Sequence, residues 1–287
     1  MTHRWDPERY LAYADERGRP FVELLARVRA EEPERVVDLG CGPGNLTALL
    51  RRRWPEADVL GVDSSAEMIE RARQDVDGVR FEVGDLREWA GLTRGLDTPS
   101  LVPRDDYSTA GLVDVLVSNA TLQWVPGHLE LLPALVAKVR PGGTFAFQVP
   151  GNFGEPSHTI RDELAAEAPY AEGLETVARA TSSTTGGGVA TPSAHDAATY
   201  LRALTALGCE VDAWETTYLH VLHGADPVFT WVSGTGARPT LQALPDDLRP
   251  AFEDEFKRRL RAAYPDDGHG VVLPFRRVFL VAVRSKS

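Results

Sequence analysis

The sequence predicts an α/β fold: a doubly wound, mostly parallel sheet of seven strands, with N-terminal helices and a helical cap. Three observations predict it. Short apolar runs of strand length alternate with apolar residues at helical spacing, the first of those strands ends in the glycine turn Gly40-Cys41-Gly42-Pro43-Gly44, and aspartates close the next two strands at Asp63 and Asp85. Alternating strands and helices build parallel sheets. Such sheets bind ligands beyond the carboxyl ends of their strands.

Each element follows in order. Residues 1–32 read as a helical segment: Pro20 sits where a first helical turn tolerates it, and Phe21, Leu24, Leu25 and Val28 recur at helical spacing up to Pro33. Val36 and Val37 run through Asp38 and Leu39 into the glycine turn as a buried strand. Leu46, Leu49 and Leu50 supply a helix face closed by Pro55. Val59 to Val62 is a second strand ending at Asp63, after which Ser64 and Ser65 are cap residues for a helix with Met68, Ile69 and Ala72 on one face. Val79 to Val83 alternates before Gly84-Asp85. Residues 91–111 hold Gly, Pro and an acidic pair without periodicity and read as a surface insertion. Val113 to Val117 is a fourth strand ending at Ser118-Asn119. Leu129, Leu132, Leu135, Val136 and Val139 keep helical spacing until Arg140-Pro141-Gly142-Gly143 breaks the chain, and Thr144 to Val149 is the fifth strand.

Beyond Pro150 the rhythm is irregular. Residues 181–193 are rich enough in Ser, Thr and Gly to read as a loop. A helix at about 194–207, a long strand over 209–222, a helix marked by Leu248, Phe252, Phe256 and Leu260, and a last strand over 275–283 complete the pattern. The expected organisation is one domain: a ligand-binding half at 33–150 and a C-terminal half at 151–287, with cap insertions at about 151–193 and 224–272.

Composition narrows the function. The chain has 287 residues, 43% of them apolar and 25% charged, the mixture of a globular fold with a sizeable core. Its net charge of −11 disfavours a sequence-independent grip on nucleic acid or anionic lipid. Two cysteines, Cys41 and Cys209, make no disulfide framework and suit a reducing compartment, so the expected location is the cytoplasm. The longest apolar run, residues 278–283, is far short of a membrane span.

The chemistry concentrates at the strand ends. Glycines at 40, 42 and 44 let the backbone approach a ligand closely. Asp63 lies 19 residues after Gly44, the distance expected of a carboxylate that takes ribose hydroxyls. The spacing is G-x-G-x-G, with Asn45 where a dinucleotide fingerprint continues towards its third glycine. Asp38 beside the loop repels a pyrophosphate but stabilises an ammonium, directly or through water. A nucleoside cofactor with a cationic amino-acid end therefore fits better than a dinucleotide. The plainer reading is that Asp38 caps a turn and the glycines merely make it.

The ordered set VVDLGCGPGN, VLGVDSSAEM, FEVGDLREW, VDVLVSNATLQWV and VRPGGTFAFQVP resembles the class I S-adenosylmethionine-dependent methyltransferases, a Rossmann-like family, over about half the chain. The opening WDPERYLAYADERGRPFVELLARV and the later WVSGTGARP and FRRVFLVAVR are similar, more narrowly, to the trans-aconitate 2-methyltransferase family. The wider resemblance implies S-adenosyl-L-methionine as cofactor. It sets Gly40, Gly42 and Gly44 against the methionine part, with Asp38 nearby. It gives the ribose to Asp63 beside Ser64, the adenine amino group to Asp85 beside Leu86, and the methionine ammonium to the Asn119 region. It packs Met68 on the adenine, although simple core packing serves that residue equally well. The 91–111 insertion departs from the family pattern at the edge of the adenine pocket.

Methyl transfer from a sulfonium is an in-line displacement in which positioning does most of the work. A carboxylate acceptor, with a pKa near about 4, is already ionised. No general base, no catalytic histidine and no metal is expected, and His128, His220 and His223 read as surface or packing residues. A polycarboxylate needs cationic clamps. Candidates are Arg238 after the polar turn 233–236, and Arg276 and Arg277, of which one must face away from the other because strand side chains alternate. Gln123 and Trp124 follow the fourth strand, where an aromatic face attracts a sulfonium. Trp5, Tyr10 and Tyr13, with Trp231 and Tyr264, form either a water-excluding lid or plain packing. The leading expectation is methylation of one carboxylate of a small polycarboxylic acid such as trans-aconitate, giving a monomethyl ester. The alternatives are a methyltransferase of the same fold acting at O, N or C of another small molecule, a non-catalytic nucleoside-binding module, and, weakest, a nucleic-acid methyltransferase.

Overall fold

The computed structural model describes residues 14–91, 112–182 and 193–286. Trp5, Tyr10 and Tyr13, residues 92–111 of the expected insertion and residues 183–192 of the expected loop lie outside them.

The first helix of the described residues, α1, spans Ala14–Arg27 and carries Pro20 in its interior. This corrects the expectation that Pro20 opens the helix. Phe21, Leu24 and Leu25 are buried, so the apolar face is strong enough to carry the one backbone hydrogen bond that proline cannot make. After it come β1 (Arg35–Leu39), α2 (Thr47–Arg53), β2 (Asp58–Asp63), α3 (Ala66–Asp75), β3 (Arg80–Val83), the short α4 (Leu86–Trp89) and β4 (Val113–Asn119). Two 3-10 turns, Leu122–Trp124 and His128–Leu131, lead into α5 (Leu132–Lys138) and β5 (Val139–Pro150). The rest is α6 (Pro156–Ala165), α7 (Tyr170–Ser182), α8 (Ala197–Ala206), β6 (Cys209–Leu222), α9 (Pro227–Ser233), α10 (Arg238–Ala243), α11 (Arg249–Ala263) and β7 (Val271–Arg284).

The seven strands lie in the order β3-β2-β1-β4-β5-β7-β6. The first five pair in parallel, Val37 standing between Leu60 and Leu116. The apolar residues of β1, β2 and β4 are buried on both faces, the mark of a sheet covered by helices on either side. The Arg140-Pro141-Gly142-Gly143 segment does not break the chain. It lies within β5, where pairing passes from Val113 with Val139 to Val115 with Thr144, so the extra residues are absorbed as a bulge.

The chain divides into two compact units. Of the described residues, one comprises 14–91, 112–149, 195–215 and 278–286; the other comprises 150–182, 193–194 and 216–277. The first, the sheet unit, holds β1 to β4, nearly all of β5, and the parts of β6 and β7 where Trp214 stacks on Phe279 at 4.9 Å. The second, the helical unit, is built from α6, α7, α9, α10 and α11 around Phe252, Phe256 and Trp231. His128, expected at the surface, is 1% exposed. It contacts the Val125 carbonyl through Nδ1 and the Tyr200 hydroxyl, 2.6 Å away, through Nε2.

Candidate functional site

The carboxyl ends of β1, β2 and β4 build a site within the sheet unit. Gly40 and Cys41 both donate backbone N–H groups to the Val62 carbonyl, at 2.7 and 3.1 Å, so the turn after β1 is tied to the end of β2. Gly40 has φ +78°, and a Cβ there would collide with the Thr121 side chain; only glycine lets the loops after β1 and β4 close on each other. Gly42, at φ +55°, differs: a Cβ on it would meet nothing within 4 Å among the described residues. Among the described residues, open space therefore adjoins the middle of the loop, while Gly44 is closed against Phe81 and Ala72.

Two carboxylates flank this loop. Asp63 accepts from Gly42 N through Oδ2 and from Ser65 N through Oδ1, each at 2.9 Å. It thereby fixes the glycine turn relative to the start of α3, where Ser65 caps Met68 N. Asp38 is enclosed in β1. Its Oδ2 accepts from Thr47 Oγ1 at 2.7 Å, and its Oδ1 has no hydrogen-bond partner among the described residues. Burial pushes the Asp38 carboxyl up to about 7, partly offset by the Thr47 hydroxyl and reinforced by the Asp63 charge. Burial raises Asp63 as well, against the two backbone N–H groups that hold its charged form. A ligand presenting a cation or a strong donor here would relieve both.

The loop after β4 is strained. Ala120 adopts φ +52°, the one positive value at a non-glycine among the described residues. Its N–H donates to Gln148 O at 2.9 Å, and its carbonyl accepts from Gln123 Nε2 at 2.5 Å. Gln123 is buried, and its Oε1 has no partner among the described residues. Gln148 donates to Asn119 Oδ1 at 2.6 Å, which fixes that amide. Left-handed backbone on an alanine costs about 1–2 kcal/mol and clusters at functional loops.

The remaining expected residues fall as follows. Asp85 is exposed and caps α4 by accepting from Arg87 N at 2.7 Å, with half-buried Leu86 next to it. Met68 is 3% exposed on the buried face of α3, and Ser64 is exposed. Trp124 is half-buried. In the helical unit, Trp231 stacks on His220 at 4.7 Å and lies 5.6 Å from Phe275. Arg277 is buried with its guanidinium 4.6 Å from the centre of the Phe275 ring. Arg238 is buried too, and desolvation pulls its pKa down. Arg276 braces the main chain by donating Nε to Gly151 O at 2.9 Å. Tyr264 accepts from Ser157 N at 3.0 Å, at the start of α6.

Several residues of these surroundings carry no signal in the sequence. Thr47, Ala120, Thr121 and Gln148 matter only because distant strands converge. In the helical unit, Asn152 and His158 likewise carry no signal in the sequence. His158 is buried beside Ser157 Oγ, and burial together with the Arg161 charge pushes it down to about 4.

A sequence profile described as a methyltransferase domain matches residues 10–212. The chain is 47% identical over 283 residues to a trans-aconitate 2-methyltransferase of Streptomyces avermitilis, covering 97% of this chain and 96% of the relative. It is 48% identical over 284 residues to a trans-aconitate 2-methyltransferase of Streptomyces coelicolor, covering 97% and 86%. Among solved structures it is similar to the YcgJ protein of Bacillus subtilis, with TM-score 0.51 and 12% identity over 94% of this chain and 99% of that one. A phosphoethanolamine N-methyltransferase of Haemonchus contortus, solved with S-adenosylhomocysteine, matches with TM-score 0.51 and 12% identity over 93% and 52%. At that identity the two structures speak to the fold, and the fold is the one the strand order describes. From the glycine loop, the paired carboxylates and nearly full-length likeness together, the chain belongs to the methyltransferase-domain family, in the branch that holds the trans-aconitate 2-methyltransferases.

Proposed function

We propose that the protein transfers a methyl group from S-adenosyl-L-methionine to one carboxylate of trans-aconitate, giving a monomethyl ester. The observation that carries this reading is 47–48% identity, over 97% of the chain, to proteins named for that reaction.

The residues present fit the cofactor. Among the described residues, open space adjoins Gly42 and the enclosed Asp38 Oδ1 is without a partner, so the loop offers both room and a waiting acceptor for a cationic group. Asp38, Gly40, Gly42, Gly44, Asp63 and Asn119 would hold it, with Ser64, Met68, Asp85 and Leu86 on the nucleoside side. When bound, S-adenosylmethionine supplies a methyl group carried on a sulfonium. The protein's own task is to bind and orient. The Asp63 carboxylate, held by Gly42 N and Ser65 N, keeps free lone pairs for hydroxyl donors.

On the acceptor side, the acid arrives ionised, so the chain need not remove a proton. Arg238 and Arg277 are the clamps best supported by burial, because an enclosed guanidinium stays charged and matches a carboxylate with two parallel donors. In the helical unit Trp231 would add an aromatic face, and Tyr264 and Arg276 hold the main chain there; in the sheet unit Gln123 and Trp124 would serve the methyl group. A charge of −11 and two buried free cysteines favour a small-molecule partner and a reducing, cytoplasmic setting.

Incubation with labelled S-adenosylmethionine and trans-aconitate tests the reading. A labelled, base-labile ester is the expected product; cofactor binding without any ester would overturn the acceptor, and no cofactor binding in titration calorimetry would overturn the whole.

A further inference from the structure

Asn152, two residues past the end of β5, is 1% exposed, and neither its Nδ2 nor its Oδ1 has a hydrogen-bond partner among the described residues. Buried side-chain amides are almost always satisfied, so an enclosed amide with both ends idle marks a missing ligand. Its main chain is well held: Glu155 N donates to Asn152 O at 3.0 Å. The preceding residue, Gly151, donates N–H to Arg276 O at 2.8 Å and accepts from Arg276 Nε at 2.9 Å. Asn152 is thus one residue away from a two-way hydrogen-bonded pair whose neighbours along β7 are Phe275 and Arg277.

Those neighbours face the same way, because they are two apart on a strand, and the guanidinium of one lies against the ring of the other. The Phe275 ring in turn meets Trp231, whose carbonyl accepts from Thr235 Oγ1 at 3.1 Å; Thr235 O accepts from Arg238 N at 3.1 Å. A continuous set of contacts within the helical unit therefore joins the surroundings of Asn152 to two buried arginines. The arginines supply charge. They do not by themselves tell one arrangement of carboxylates from another.

We infer that Asn152 is a specificity residue for the polycarboxylate: its Nδ2–H donates to one carboxylate of the acid, while its Oδ1 disfavours an anion presented on that side, so the amide reads orientation. The inference rests on the proposed function and adds a residue that neither motif nor resemblance assigns.

The test uses the whole protein with S-adenosylhomocysteine present. Calorimetry measures binding of trans-aconitate and of three analogues, each with one carboxylate replaced by hydrogen. Asn152→Leu should weaken trans-aconitate by roughly 10- to 100-fold, the loss expected for a hydrogen bond to a charged group. The penalty should vanish for one analogue, and that analogue names the carboxylate contacted. Asn152→Asp, of nearly the same shape, should weaken it further by placing like charges together. S-adenosylhomocysteine binding should stay unchanged in both, and Asn152→Leu should raise the Tm, because it removes an idle buried amide. An equal penalty for all four acids, or a lowered Tm with weakened S-adenosylhomocysteine binding, would make Asn152 structural and overturn the inference. Wild-type protein that binds the acid but forms no ester would sink the proposed reaction and leave this binding role standing; wild type that binds none of the four acids sinks both.

Discussion

A carboxylate sealed inside a strand and satisfied at one oxygen only does not titrate as it would in water. Asp38, pushed up to about 7 by burial, holds its proton in the folded chain across a range where the unfolded chain, near 3.8, has released it. The folded state therefore binds more protons between roughly pH 4 and 7. Its contribution to stability is fully present below that window and is lost as the pH rises through 7. Cofactor binding runs the other way, since an ammonium favours the ionised form. Affinity for S-adenosylhomocysteine should rise about tenfold between pH 6 and 8 as the ionised fraction grows, and the rise should be absent in Asp38→Asn. Equal affinities at the two pH values in the wild-type protein would remove Asp38 from the cofactor's surroundings. At this scale the sequence speaks where a motif is local: Asp38, the three glycines and Asp63 lie within 26 residues of chain, and their meaning survives without a fold. Thr121 and Asn152 have no such local grammar. Thr121 matters because it reaches Gly40 from 81 residues away, and Asn152 because its amide is enclosed with no partner.

Elements behave similarly. Strands β2 and β4 announce themselves by compact buried apolar runs and β3 by alternation, whereas α6 and α7 leave no clear rhythm in a stretch of mixed polarity. Pro20 lies inside α1 and not at its start for a physical reason: the packed apolar face of the helix offsets the hydrogen bond that proline cannot make. The burial of His128 is not legible in its local sequence because it depends on a partner that arrives from another element. That partner is Tyr200 of α8, whose hydroxyl sits 2.6 Å from Nε2 and also accepts from His195 N at 3.2 Å. The hydroxyl thus links the 3-10 turn before α5 to the start of α8. Tyr200→Phe keeps the ring's contact with Phe147, 5.2 Å away, but leaves an imidazole nitrogen and a backbone N–H idle. A loss of about 1–3 kcal/mol is expected, read as a lowered urea midpoint with little change in m.

For the whole molecule, two compact units give two places for ligands to act. S-adenosylhomocysteine stabilises only what it binds, by about 2.7 kcal/mol at a hundredfold excess over its Kd. Hydrogen exchange with that ligand should slow at Gly40, Gly42, Ser65 and Ala120, all in the sheet unit, while trans-aconitate should slow exchange at Gly151, Asn152 and Arg238 in the helical unit. Protection by the acid confined to the sheet unit would refute the assignment of Arg238 and Arg277 as its clamps. The interlock of Gly40 with Thr121 has a further consequence, for anyone reshaping this catalyst by directed evolution. Saturation libraries at position 121 will return few bulky survivors, and a side chain introduced at position 40 will be rescued only by truncation at 121, so the two codons should be randomised together.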